Sequence, residues 1–336
     1  MVSLYKRKIP KLNVETSALG MGTWAIGGPS TSKDGRPVGW GNTNNEESVR
    51  ALKRALELGV RVFDTADVYG CGLSEQLLGR ALENYREEVV IITKFGNTFD
   101  SKTKRQLGED ASPKYIRGAV DASLKRLNTD YVDIYLLHIW GYPIDKAAET
   151  MDTLEDLVGE GVIRGYGWST DSTSRAAAHS GRKHYVAVES ELNVFRDTSE
   201  IVGLCEEKRL LNINKAPLAM GLLSGKYTSQ APRLAENDVR TASPDWLVYF
   251  KDGKASPEFT KKLDRIREVL TEDGRTLVQG SLGWIWARSK VTLPIPGFKT
   301  AGQVEENAKA LEYGPLKSTQ MKALDEILGT RNFICE

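Results

Sequence analysis

The sequence predicts an α/β fold, a (β/α)8 TIM barrel with an N-terminal hairpin and a long lid-like loop after the seventh strand. Three observations carry that expectation. Apolar strand-like runs recur eight times along 336 residues, stretches of helical spacing lie between them, and the glycine fingerprint of an open dinucleotide-binding sheet is missing. The strand-like runs cover 20–26, 61–65, 89–94, 131–138, 163–169, 185–190, 211–216 and 291–296. Helical spacing is clearest in 48–58 (Val49, Leu52, Ala55, Leu56), 114–127 (Ile116, Val120, Leu124, Leu127) and 146–158 (Ala147, Met151, Leu154, Val158). Ser112-Pro113 pairs a capping residue with a first-turn proline, and Thr198 is followed by Glu200, another helix-start signal. Strands alternating with helices pair in parallel through right-handed crossovers, and eight such units close a barrel. In the competing doubly wound sheet a GxGxxG turn follows the first strand; Gly20-Met21-Gly22-Thr23-Trp24 does not supply it.

Two segments stand outside the eight units. Residues 1–17, with Lys11-Leu12-Asn13-Val14, read as a hairpin closing the barrel floor. Residues 229–256 are polar and turn-rich (Pro232, Pro244, Asp252-Gly253) yet carry Trp246, Leu247, Tyr249 and Phe250, which suits a lid or pocket wall. No internal repeat or linker divides the chain, so one domain over 1–336 is expected. The 46 basic and 45 acidic residues are interspersed and leave a net charge of +1, which argues against a nucleic-acid binder. No run approaches the roughly 20 apolar residues of a membrane span, and Met1-Val2-Ser3-Leu4-Tyr5-Lys6-Arg7 leads into no signal core. Cys71, Cys205 and Cys335 are too scattered for a disulfide framework or a CxxC metal site, so a cytoplasmic, metal-free protein is expected.

Four polar groups sit at or just beyond strand ends: Asp64, Tyr69, Lys94 and His138. Barrels of this kind carry their chemistry at the C-terminal ends of the strands, so residues scattered in sequence share one address there. An ammonium beside a phenol is expected to lower the phenol pKa from its usual value of about 10, making Tyr69 a proton donor or acceptor. Asp64 would keep Lys94 charged and aimed. His138 would orient a carbonyl oxygen or share the proton, as an imidazole close to its switching range. Singly, each reads as a surface cap or a packed core residue; their joint placement on the second, third and fourth strands points to a site.

The motif Phe63-Asp64-Thr65-Ala66-Asp67-Val68-Tyr69-Gly70, followed by Ser74-Glu75-Gln76-Leu77-Leu78-Gly79-Arg80-Ala81-Leu82, resembles the signature of the aldo-keto reductase superfamily. So do Ile92-Thr93-Lys94, the strand 131–138 ending in His138, the run 217–227 and the run 295–307, matching in the family's order over nearly the whole chain. The resemblance implies the (β/α)8 barrel and NADPH-dependent, metal-free reduction of an aldehyde or ketone. It also implies the catalytic tetrad Asp64, Tyr69, Lys94 and His138, with Tyr69 as general acid.

The cofactor segments agree with elementary chemistry. Gly221 and Gly297 would let backbone amides approach a pyrophosphate, and Ser224, Gly225 and Lys226 would add donors and a cation. Lys299, Thr300 and Gln303 precede or open the helix 301–311, whose amide-rich start favours an anion; a cation there suits the 2′-phosphate of NADP rather than NAD. Glu306 and Asn307 match the family's adenine contacts. By the same resemblance Gly22, Thr23, Trp24, Ser169, Pro217, Leu218 and Leu222 belong to the cofactor cleft. Three positions depart from the family pattern around the nicotinamide. Thr170 replaces the usual Asn, Glu189 the usual Gln, and Lys215 a frequent aromatic. An ion pair between Glu189 and Lys215 is expected from their neighbouring strand ends. Trp24, Tyr69, His138 and Trp140 are the expected substrate contacts, with Trp246, Tyr249, Arg233 and Arg240 within possible reach of a small carbonyl such as a sugar or aromatic aldehyde. Two alternatives keep the same cofactor segments: a regulatory NADP-binding subunit with little turnover, and an alcohol or sugar dehydrogenase running oxidatively.

Overall fold

The computed structural model describes residues 4–228 and 230–329; Met1, Val2, Ser3, Ser229 and Cys335 lie outside the described residues. Fourteen strands are described. β1 (Lys6–Ile9) and β2 (Val14–Ser17) form an antiparallel hairpin, followed by β3 (Gly20–Gly22), β4 (Val62–Asp64) and β5 (Val90–Phe95). A second antiparallel hairpin, β6 (Asn97–Asp100) and β7 (Arg105–Glu109), precedes β8 (Val132–Leu137), β9 (Ile163–Ser169), β10 (Tyr185–Glu191) and β11 (Leu211–Lys215). A short pair, β12 (Phe250–Lys251) and β13 (Lys254–Ala255), comes before β14 (Thr292–Pro294).

The helices are α1 (Asn45–Glu57), α2 (Leu73–Leu82), α3 (Pro113–Leu127), α4 (Ile144–Gly159), α5 (Thr173–Ala178) and α6 (Ser199–Lys208), then α7 (Pro257–Thr271), α8 (Leu277–Arg288), α9 (Ala301–Tyr313) and α10 (Ser318–Leu328). Strands β3, β4, β5, β8, β9, β10, β11 and β14 lie side by side in that order, every neighbouring pair parallel. The seam is bridged where Gly22 meets Gly297 and the Gly22 amide donates to Pro296 O at 3.1 Å. A Cβ on Gly22 would stand 2.7 Å from Ile295 O, so glycine permits this close approach. The eight-unit barrel expected from the sequence is therefore the fold.

Alternation along each strand sorts the core. Val62, Val90, Ile92, Ile134, Leu136, Ala187, Ile213 and Leu293 point into the barrel, where Ile9 of the first hairpin plugs the floor with Leu12 and Val14 against it. Phe63, Ile91, Phe95, Tyr135 and Val188 point outward and pack with Leu52, Leu78, Ile116, Leu154 and Val304 of the helices. Lys11 pins the floor by donating to the carbonyls of Ser180, Arg182 and Tyr185 at 3.2, 3.1 and 2.8 Å. Two residues further along the same inward rows come Asp64, Lys94, His138, Glu189 and Lys215. The period of two that builds the core thus delivers these side chains to the barrel mouth.

Several expectations need adjusting. The first strand ends at Gly22, and Trp24–Ile26 is a 3₁₀ turn, because the Thr23 amide bonds Asp64 O and the Ile26 amide turns back to Thr23 O. Ser112 caps α3 through the Tyr115 amide as expected, whereas the Thr198 hydroxyl donates to Glu191 O instead of capping α6. Hairpin β6–β7 carries no clear signal of its own in the sequence; helices α7 and α10 fall outside the three helical stretches named above, although Leu263, Ile266 and Leu270, and Met321 and Leu324, have helical spacing. No helix of the described residues is long and apolar enough to cross a membrane.

Ile9→Ala should lower stability by about 2–4 kcal/mol in urea titration, because it opens a cavity at a plug that is fully buried. A change under about 0.5 kcal/mol would mean the hairpin does not seal the floor.

Candidate active site

A buried polar cluster lies at the mouth of the barrel. Lys94 is completely buried, and its ammonium donates to Asp64 Oδ1 at 2.7 Å, Asp64 Oδ2 at 2.8 Å and Thr65 O at 2.9 Å. It also reaches Tyr69 Oη at 3.4 Å. A second carboxylate, Glu189, approaches the same ammonium: its Oε2 stands 3.2 Å away without hydrogen-bond alignment, while Oε1 accepts from Ser169 Oγ at 3.1 Å. Tyr69 is stacked on Trp24 (ring centroids 5.9 Å apart) and meets His138 edge to face at 6.0 Å. The His138 amide donates to Phe95 O at 2.8 Å and its carbonyl accepts from Asn97 Nδ2 at 2.8 Å, while Nδ1 has no partner.

Burial dominates the protonation of this cluster. It pushes the Asp64 carboxyl well above the usual carboxylate range, and the Glu189 charge adds to that, with Lys94 pulling the other way. Lys94 is raised above the ordinary lysine value although burial alone would lower it, because Asp64, Glu189 and Tyr69 all favour the ammonium. The expectation for Tyr69 is corrected. Burial holds its phenol above the ordinary value, and the opposing pull of Lys94 is further countered by Asp64 and Glu189. His138 is corrected too: burial, Lys94 and Lys215 hold the imidazole well below its usual value, so it is neutral near pH 7.

The expected Glu189–Lys215 pair is not formed. Register explains why: Glu189 lies beside Ile213, and Lys215 lies beside Glu191, one layer nearer the mouth. Lys215 pairs instead with Asp171 at 3.2 Å and sits over the Trp140 ring, 4.8 Å from its centroid. Glu189, in the lower layer, turns to Lys94.

One cavity of about 610 Å³ runs from this cluster to the start of α9. Asp64, Tyr69, His138, Glu189 and Lys215 line it near the cluster, with Gly22 and Trp24 beside them. Pro217, Leu218, Gly221, Ser224 and Lys226 continue the wall after β11; Gly297, Lys299, Gln303, Glu306 and Asn307 complete it. Thr23, Ser169, Thr170, Leu222, Gly225 and Thr300 do not form the wall. The Thr23 hydroxyl donates to Asp64 O and meets Ser74 Oγ; the Thr170 hydroxyl accepts from the Ser172 amide; Thr300 caps α9 through the Gln303 amide.

The long loop is a pocket wall, as expected of its aromatics. Trp246 lies between Trp24 and Trp140, at 6.4 and 6.0 Å. Tyr249 Oη donates to Glu191 Oε1 at 2.5 Å, tying the loop to β10. Arg240 is buried against Trp40, Tyr227 and Phe250, paired with Asp238 and donating to Met220 O; Arg233 does not reach the cavity and bonds Asp252 O. Sequence reasoning missed Trp40, the β6–β7 residues Asn97, Gln106 and Glu109, and Asp171, all lining the cavity. An aromatic residue between Gly39 and Gly41 in an otherwise polar loop was the available signal for Trp40.

The far end suits an anionic nucleotide. Lys299 donates to Trp40 O, and burial lowers its pKa. The Asn307 amide nitrogen is buried in the wall without a partner. Gly221 holds φ at +95°, a conformation that keeps this stretch free of side chain.

Lys94→Met should cost about 3–5 kcal/mol at neutral pH, because it strands two buried carboxylates. The folded-state pKa of Asp64, already raised by burial, then lies further above the unfolded value, so the folded state binds more protons. Stability is retained below the ordinary carboxylate range and lost as pH rises through the raised folded value. Denaturant titrations across pH should show a deficit that widens from about pH 4 upward; a pH-independent deficit would contradict the shared ammonium.

A model described as the Aldo/keto reductase family matches residues 18–329. The chain is 33% identical over 93% of its length, and 88% of the relative, to aldo-keto reductase yakc [NADP(+)] of Schizosaccharomyces pombe. It is 28% identical to the NADH-specific methylglyoxal reductase of Escherichia coli, covering 96% of this chain and 99% of that one. Among solved structures, the glycerol dehydrogenase AKR11B4 from Gluconobacter oxydans superposes with a TM-score of 0.79 at 27% identity, over 98% of this chain and 97% of that chain.

Proposed function

Since the chain belongs to the aldo/keto reductase family, we propose that it reduces a small aldehyde or ketone with NADPH, working as one catalytic domain. The observation that carries this reading is the contact of the Lys94 ammonium with Tyr69 Oη at 3.4 Å, inside a cavity that continues to Lys299 and Asn307. When bound, the cofactor supplies the hydride. The residues supply the rest. As the carbonyl carbon accepts hydride, its π electrons move to oxygen, and Tyr69 transfers its phenolic proton there. Lys94 stabilises the phenolate left behind, and this favours a group whose burial otherwise resists ionisation. His138, neutral, offers its ring to the same oxygen as an uncharged donor, while Asp64 keeps Lys94 protonated and directed. Trp24, Trp140 and Trp246 support an aromatic or sugar-like substrate stacked at the mouth.

The cation at Lys299 supports NADP over NAD. The relatives carry both preferences in their names, so the cation is the discriminating feature. Lys299→Met should weaken NADPH binding by roughly tenfold or more while leaving NADH binding nearly unchanged; equal losses for both would remove Lys299 from the 2′-phosphate. Tyr69→Phe should lower carbonyl reduction by about 10²–10⁴-fold with NADPH binding intact. Full activity in that variant would refute the assigned acid. A panel of sugars, aromatic aldehydes and small ketones, mixed in single turnover with the NADPH complex, tests the function itself. Oxidation by none of them would favour a cofactor-binding regulator.

A further inference from the structure

The charges at the barrel mouth balance only while one carboxyl proton is kept there, since burial and Glu189 push Asp64 toward protonation. Two carboxylates, Asp64 and Glu189, share the one ammonium of Lys94, all three almost completely buried. The other groups facing them cannot make up the difference. Lys215, from the end of β11, is matched by Asp171 after β9; His138, from the end of β8, is held neutral; Tyr69 carries a neutral phenol; Ser169 offers only a hydroxyl. Glu191, two residues along β10, is occupied by Arg196 at 2.8 Å and by Tyr249. With Gln at position 189, Asp64 and Lys94 would form a neutral pair. Glu189 therefore adds one carboxyl group that lacks its own cation, and a cationic ring beside it can take the place of the proton that otherwise balances the pair.

A nicotinamide that delivers hydride to a carbonyl beside Tyr69 must bring its reacting carbon to about 3–3.5 Å from that carbonyl. Lys94 Nζ lies 3.4 Å from Tyr69 Oη and 3.2 Å from Glu189 Oε2, so the carboxylate is two contact distances from the proton donor. Glu189 and Tyr69 line the same cavity. The ring is a pyridinium cation when oxidised and neutral when reduced; the rest of the dinucleotide is identical in both forms. Binding contributions from Lys299, Asn307 and the phosphate-facing loops cancel in the comparison, and the charge beside the ring remains.

We propose that Glu189 makes this site selective for the oxidised ring, so that the protein binds NADP⁺ more tightly than NADPH. The proposal rests on the NADP-dependent reading above. With a nicotinamide bound there, Glu189 would stabilise the positive charge that its ring carries once oxidised. The equilibrium on the protein then favours carbonyl reduction.

The test is equilibrium titration of wild type, Glu189→Gln and Glu189→Asp with NADP⁺ and with NADPH, followed by calorimetry. Wild type should prefer NADP⁺. Glu189→Gln should reduce that preference by roughly tenfold or more, chiefly through weaker NADP⁺ binding, as expected for loss of one charge at close range. Glu189→Asp keeps the charge and should stay near wild type. An unchanged ratio in Glu189→Gln, with both forms still bound, would overturn the proposal and leave the reductase reading standing. Should Glu189→Gln fail to fold, the wild-type ratio decides: NADPH bound as tightly as NADP⁺, or more tightly, overturns the proposal. Binding of neither form would instead overturn the NADP assignment, and the proposal with it.

Discussion

A single buried ammonium organises the barrel mouth. Lys94 has no exposure and binds both oxygens of Asp64, the Thr65 carbonyl, the Tyr69 hydroxyl and one oxygen of Glu189. Burying a charge costs several kcal/mol unless partners surround it, and here they come from β4, the loop after it and β10. Each partner depends on the lysine in turn. Asp64 is pushed toward protonation by burial and by Glu189, and only Lys94 opposes that. The phenol of Tyr69 resists ionisation for the same reason and has the same counterweight. The cluster is costly in stability, and strongly perturbed titratable groups of this kind gather at functional sites.

The fold meets this demand through parity and register. Inward rows such as Val62–Asp64, Ile92–Lys94, Leu136–His138 and Ala187–Glu189 start as hydrophobic core and end as polar mouth. Closing the seam at Gly22 keeps the rows at one level. Around the rim, Trp24, Trp40 and Trp246 form an aromatic wall, and the long loop is fastened by Tyr249 to Glu191 and by Arg240 to the Met220 carbonyl. A rigid cluster is thereby covered by a wall of loops, a common arrangement for binding small molecules.

Much of this was legible in the residues, for a physical reason. Strand periodicity survives any detail of packing, so the eight runs, the polar strand ends and the floor hairpin could be read directly. Protonation could not, because Tyr69 and His138 are governed by how deeply they sit, and depth belongs to the folded barrel. The Glu189–Lys215 expectation failed on register: neighbouring strand ends look level in sequence, but pairing places Lys215 beside Glu191. Thr23 and Thr170 were expected in the cleft, yet local backbone groups claim their hydroxyls. The β6–β7 hairpin stayed hidden because its residues are mostly polar and none is buried, leaving no apolar alternation to detect.

The most direct test of the shared ammonium is nitrogen-15 NMR of the lysine side-chain amines across alkaline pH. Free lysine titrates at about 10.4. The charge cluster predicts one buried amine, assigned to Lys94 by substitution, that stays protonated after the other lysines have lost their protons. A Lys94 signal that titrates with or below the surface lysines would show that the two carboxylates do not hold it as described.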